Sequence, residues 1–371
     1  MRAGDLIDQL EANDDRDHRR LELSIPRAAA LRATRGFSAP ETGEAFKRAT
    51  TLCDQRHDEE LLVPALNGLY AYHLVRAEFE PAAESAKRLL ALAIRRGGRT
   101  QHMIAHRAVG AVCLHVGQLA KAEQHLQSAI EAYDDVETDA SLAHLLGTDH
   151  ATTASCFLSL TQYALGNAEL AHRTQAFALS HAVRLNHRHS IAQALTFLCY
   201  LHSMDRQWNK LEEPAEQLLG ISREHRFPLM LATAEIWGAL WRWHVAGDRA
   251  APRDMLAAIQ QLEQTGCAMN RPFFEALLAE VEAKSGDLSR ALARLADAKK
   301  MVERTDERWF EAELLRMESA MLADQGESGK ATALAVLERA LEIAHWQGAG
   351  MWERRTRQSR ASLLTGNGTA G

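Results

Sequence analysis

Residues 108–133 read AVGAVCLHVGQLAKAEQHLQSAIEAY, with Gly110, Gly117, Ala122, Leu126 and Ala129 spaced by seven, five, four and three. None of these five positions holds an acid, a nucleophile or a metal ligand. Apolar residues at helical spacing lie on both sides of Gly117, so the stretch predicts a helix, a tight turn and a second helix. Small side chains on the facing sides let two helix backbones approach closely, and Leu126 fills the gap beside them.

The same pattern recurs along the chain. Gly166, Ala171 and Ala178 repeat it, as do Gly286, Ala291, Leu295 and Ala298. Weaker copies centre on Glu78, Arg206 and Gly247, and a last one starts at Gly326 with two residues added to its turn. The turn positions 78, 117, 166, 206, 247, 286 and 326 are separated by 39, 49, 40, 41, 39 and 40 residues. The long step carries an acidic and polar insert over residues 134–150, which reads equally as a site or as an elaborated loop. One helical hairpin cannot bury its apolar face alone, so neighbouring hairpins stack and share a continuous core.

The expected fold is therefore all-α: one solenoid over residues 1–371, of about seven to eight hairpins with a period near 40 residues. Residues 1–50 read as a degenerate N-terminal cap hairpin, 51–345 as the repeats, and 346–371 as a C-terminal cap helix with a disordered tail. The spacing resembles the tetratricopeptide repeat, a hairpin of about 34 residues, with each helix here about a turn longer. That likeness implies a right-handed superhelix with a concave inner face.

Composition narrows the function. The chain has 371 residues, a net charge of -6, and five widely spaced cysteines with no C-x-x-C pair, which predicts reduced, mostly buried thiols. The first twenty residues are too charged for a signal peptide, and no apolar run approaches the ~20 residues of a membrane span. A cytoplasmic protein without direct nucleic-acid binding is expected. The arginines at 354, 355, 357 and 360 read as a solvated helix end.

Sites of chemistry are sparse. GESGKAT at 326–332 lacks the first glycine and the hydroxyl of a phosphate-binding loop, with Asp324 and Ala331 in their places, and falls in a helix–helix turn. His102 and His106 share a helix face, but Met103 stands where a zinc protease needs Glu. His187 and His189 lie in the polar turn NHRHS. No catalytic, cofactor or metal residues are assigned, and a non-enzymatic role is expected.

The runs NGLYAYHLVRAEF, HRAVGAVCLHVGQLAKAEQHLQSAIEAYD, RPFFEALLAEVEAKSGDLSRALARL, VERTDERWFEAELLRME and LERALEIAHWQGAGMWERR occur in that order. From about Leu21 to Leu364 they resemble the C-terminal tetratricopeptide region of bacterial STAND signalling ATPases. Members of that family join the repeats to a class III adenylate or guanylate cyclase domain, or to a winged-helix or LuxR-type DNA-binding domain. The resemblance implies an interaction and sensor module that regulates an attached or associated ATPase, cyclase or transcription regulator. Its occupant would be a protein, a peptide or a small effector on the concave face. A free-standing scaffold that assembles a complex without switching is the alternative, and an enzyme with a site assembled across repeats is the third reading. In the tetratricopeptide hairpin the first helix lines the groove. Carried onto this chain, the groove positions are Tyr72, Arg76, Arg107, His115, Tyr163, Tyr200, Trp237, Trp241, His244, Lys284 and Arg316. Aromatic and arginine side chains supply the contact area and charge-assisted hydrogen bonds of binding hot spots.

Overall fold

The computed structural model describes residues 14–133, 143 and 146–365. Among them are seventeen α-helices and no strand. In chain order they are α1 (Asp14–Arg35), α2 (Pro40–Arg56), α3 (Glu59–Val75), α4 (Phe79–Arg96), α5 (Arg99–His115), α6 (Leu119–Glu131), α7 (His150–Leu165), α8 (Ala168–Arg184) and α9 (Arg188–Met204). They continue as α10 (Glu212–His225), α11 (Pro228–Trp241), α12 (Ala251–Gln264), α13 (Arg271–Lys284), α14 (Leu288–Thr305), α15 (Glu311–Ala323), α16 (Glu327–Gln347) and α17 (Gly350–Thr365). A π-helical turn, Arg242–Ala246, follows α11. Each odd-numbered helix up to α15 pairs with its successor, and α17 closes the end of the stack. The tail after residue 365 and most of the insert lie outside the described residues.

The two layers differ in how they are covered. Outer helices such as α6 and α14 bury one narrow stripe: Leu119, Ala122, Leu126 and Ala129 in α6, and Ala291, Leu295, Ala298 and Val302 in α14. Inner helices are enclosed on most sides, and α7 is buried at every residue from His150 to Ala164.

The turns fall where the repeat places them. Gly117, Gly166, Arg206, Gly247, Gly286 and Gly326 all have positive φ, as a left-handed helix terminus requires. At the first turn the left-handed residue is Ala77, one position before Glu78.

Close approach is built at Gly110. A methyl there would meet Leu126 Cγ at 2.6 Å and the Leu126 backbone nitrogen at 3.1 Å. Leu126 is fully buried and has nowhere to retreat. Gly110→Ala is expected to destabilise the protein by about 1–3 kcal/mol through overpacking. Urea denaturation checks this, and an unchanged midpoint would remove the close-contact role.

The superhelix closes on itself after five hairpins. Ala268 and Met269, in the α12–α13 turn, donate their backbone N–H groups to the Val75 carbonyl at the end of α3, at 3.0 and 3.1 Å. Arg308 and Trp309, before α15, donate in the same way to His115 O at the end of α5, at 2.7 and 3.2 Å. One level further, Gly350 at the start of α17 presses on Leu165 O, which a methyl at Gly350 would meet at 2.6 Å. A side-chain ladder runs along this seam: Trp309 Nε1 donates to Asn270 Oδ1 at 3.1 Å, and Trp352 Nε1 donates to Trp309 O at 3.1 Å. The concave face is thereby turned into the wall of an interior space.

Candidate functional site

The interior holds a cavity of about 1150 Å³. Its floor is made by inner helices, with Tyr70 and Arg107 from α3 and α5, Phe157 from α7, Tyr200 from α9 and Phe274 from α13. Its rim is made by the loops before α2, α9, α11 and α13, which bring Phe37, His187, Phe227 and Gly266 to one edge. The aromatic wall is continuous at the mouth: the His189 ring lies 5.2 Å from Phe37 and 5.4 Å from Phe227.

Polar groups interrupt this apolar wall at defined points. Thr148 and Thr153 both donate their hydroxyls to Gln193 Oε1, at 2.9 and 3.0 Å. Behind the wall and outside the lining, Asp149 caps α7 by accepting from Thr152 N at 2.7 Å, with His181 3.3 Å away. Arg107 is 3 % exposed; its guanidinium lies 4.9 Å above the Tyr70 ring and donates from Nη2 to Asn67 Oδ1 at 2.6 Å. Burial lowers the pKa of both Arg107 and Arg32, the latter to about 10. The His189 ring is held neutral, its pKa pushed down to about 3 by burial and by the adjoining His187 and Arg32 charges. Such a wall has the apolar surface and hydrogen-bonding groups to hold and orient a ligand. Among the described residues no three His, Cys, Asp or Glu side chains form a metal-binding group.

Three of the eleven expected groove residues border this cavity: Arg76, Arg107 and Tyr200. Trp237 is completely buried, packed edge-on against Tyr200 at 5.0 Å and Phe274 at 5.4 Å, so it belongs to the core. Trp241 is half-buried at the same core. His115 is a core residue stacked on Phe79 at 5.2 Å, with Nδ1 donating to Ala111 O and its pKa lowered to about 4 by burial. Tyr72 packs over Gly43 of α2, with the Arg76 guanidinium 5.3 Å from its ring. His244 stacks on Trp208 at 3.9 Å.

Tyr163 and Arg316 lie on the inner surface under α17, whereas Lys284, at the end of α13, is exposed. Arg355 of α17 donates to Tyr163 Oη at 2.8 Å, to Met204 O at 2.5 Å and to Glu313 Oε1 at 3.2 Å. Arg316 donates to both oxygens of Glu313, at 2.8 and 3.0 Å. Burial alone would raise the Glu313 carboxyl, and Arg316 and Arg355 outweigh it and hold it below the usual range. Lys284 pairs with Glu280 at 2.9 Å, which also accepts from Arg206 at 2.6 Å. Arg355 is thus a clamp on α17; the expectation of a solvated helix end holds for Arg354, Arg357 and Arg360, which are exposed.

The wall residues missed in the sequence lie at the starts of inner helices: Thr148, Thr153, His187, His189 and Asn270. Their signal is a polar cluster where an inner helix begins, as in GTDH and NHRHS, whereas the groove positions were carried over toward the helix ends. At the other two candidate motifs, His106 Nδ1 meets His125 Nδ1 at 2.9 Å, and Gly326 precedes the helical residues of α16 without any strand before it.

No family model matches the sequence, and no curated protein matches it. Solved structures do match. A Rap protein complexed with competence and sporulation factor has a TM-score of 0.57 at 12% identity, covering 94% of this chain and 99% of that chain. The apo form of RapI has a TM-score of 0.46 at 12% identity, with the same coverage. At this identity the first likeness shows the fold alone, a helical-repeat solenoid of the tetratricopeptide type. No described helix is long and apolar enough to cross a membrane.

Proposed function

We propose that this chain is a non-catalytic regulator that receives a short peptide, free or as a segment of a protein partner, in its central cavity. The observation that carries this reading is the closed superhelical turn around a cavity of about 1150 Å³. Small-molecule pockets typically occupy about 300–1,000 Å³. Aromatic surface with hydroxyl, amide and guanidinium groups between the rings suits a backbone with alternating side chains. The complex of the similarly folded Rap protein with competence and sporulation factor supports a ligand-receiving role for such a solenoid.

Binding would regulate through curvature. A ligand that prefers one spacing of the inner helices shifts the population between open and closed seams at Val75, His115 and Leu165. By the sequence resemblance, the output is an attached or associated signalling ATPase, cyclase or transcription regulator.

The test uses a random pentapeptide pool, retained on the full chain in gel filtration and identified by mass spectrometry. The wild type is expected to enrich a subset of sequences. Gln193→Trp, which fills the cavity from its partly exposed wall, is expected to lower that enrichment at least about tenfold while melting as a folded protein. Equal enrichment by both proteins, or none by the wild type, would sink the reading.

A further inference from the structure

Charge is distributed unevenly around the cavity. The chain as a whole carries a net charge of -6. Yet the described lining includes six arginines (residues 32, 35, 76, 107, 188 and 226) and a single carboxylate, Glu263. That carboxylate is exposed on the rim and already lies 3.3 Å from Arg271. Arg76 is neutralised by Glu78 at 2.8 Å.

Arg107 differs from the exposed arginines at the mouth, Arg35, Arg188 and Arg226. It lies at the floor, almost fully buried, and makes no ion pair among the described residues. Its partners are neutral: the Asn67 carbonyl oxygen at 2.6 Å and the face of Tyr70 at 4.9 Å. Its Nε has no hydrogen-bond partner, and the adjoining Tyr70 hydroxyl has none either. A buried charge without a counter-charge is costly, and an anion placed beside it removes that cost. The planar guanidinium matches a carboxylate through two parallel N–H···O bonds.

We infer that Arg107 forms an anion subsite at the cavity floor, and that the peptide received there presents a carboxylate to it. This rests on the peptide reading above and specifies the chemistry of its ligand. A carboxylate carries one negative charge, which one guanidinium balances. The burial of Arg107 and the Tyr70 ring 4.9 Å from its guanidinium lower the local dielectric and strengthen the pairing.

A peptide carboxylate comes either from the C-terminus or from an Asp or Glu side chain, and four pentapeptide pools separate the two sources. They carry a free or an amidated C-terminus, each with or without Asp and Glu in the mixture. The wild type is expected to enrich at least one acidic pool over the amidated, acid-free pool by about 10- to 100-fold, the range for hydrogen bonds to a charged group. Which pool wins identifies the source. Arg107→Met should abolish the preference and Arg107→Lys should restore part of it. Thermal melts check that both fold, and the amidation arms need no variant at all.

Enrichment that is equal across the four pools would overturn the carboxylate subsite and leave the peptide reading standing. A charge preference that survives in folded Arg107→Met would overturn the assignment to Arg107. Enrichment of no pool would take down both readings together.

Discussion

Glu307→Gln is expected to raise stability above pH 8 by several kcal/mol while leaving it nearly unchanged below pH 5. Glu307 is 2 % exposed in the α14–α15 turn, where Oε1 accepts from Asn270 N at 2.8 Å and Oε2 has no partner. Burial pushes its pKa up from 4.5 to about 8, against the smaller opposing effects of the Asn270 and Trp309 hydrogen bonds. The folded state therefore holds this proton more tightly than the unfolded chain. The associated stability is fully present below about pH 4.5 and is lost as the pH rises through about 8. Each unit of separation is worth about 1.4 kcal/mol.

The seam makes this more than a local effect. Glu307 is next to Arg308, whose backbone N–H closes the superhelix on His115 O. Gln keeps the acceptor for Asn270 and cannot ionise. Buried histidines such as His115 and His189, with lowered pKa values, contribute the opposite trend, losing stability as the pH falls below about 6.5. The difference between wild type and variant cancels them. Urea denaturation at pH 5, 7 and 9 gives the result, and parallel curves for the two proteins would show that Glu307 is not the titrating group.

Trp237→Ala is expected to cost about 3–5 kcal/mol of stability, the range for deleting a buried large aromatic. Its ring is fully covered by Tyr200, Phe273 and Phe274 across three inner helices. Its Nε1 is buried without a partner, so Trp237→Phe, which removes that group and keeps a ring, should cost much less. A groove residue would behave differently, losing binding with little change in the melt. A stable Trp237→Ala protein with impaired peptide retention would return Trp237 to the surface of the site.

That contrast shows how far the site was legible. The interval between small residues located six left-handed turn positions and missed the seventh by one residue. The groove positions carried over from the tetratricopeptide hairpin included Arg76, Arg107 and Tyr200, which border the cavity. They also included Trp237 and His115, since a position within the repeat cannot distinguish a ring facing a cavity from one facing the next helix. Tyr163 and Arg316 are inner-surface residues, but nothing near them in sequence indicates that α17, whose Arg355 is 192 residues beyond Tyr163, covers them.

By itself the sequence determined the local and nearest-neighbour structure. Helix–turn–helix units, their glycine turns and the Gly110–Leu126 contact depend on residues within one repeat of each other, where side-chain size and backbone conformation decide. Only the tertiary structure decided where the concave face becomes a cavity. Small rotations between successive hairpins accumulate over five repeats until Val75 meets Ala268 and His115 meets Arg308. No single interval encodes that sum, and it is the sum that leaves Arg107 on the cavity floor without a counter-charge among the described residues.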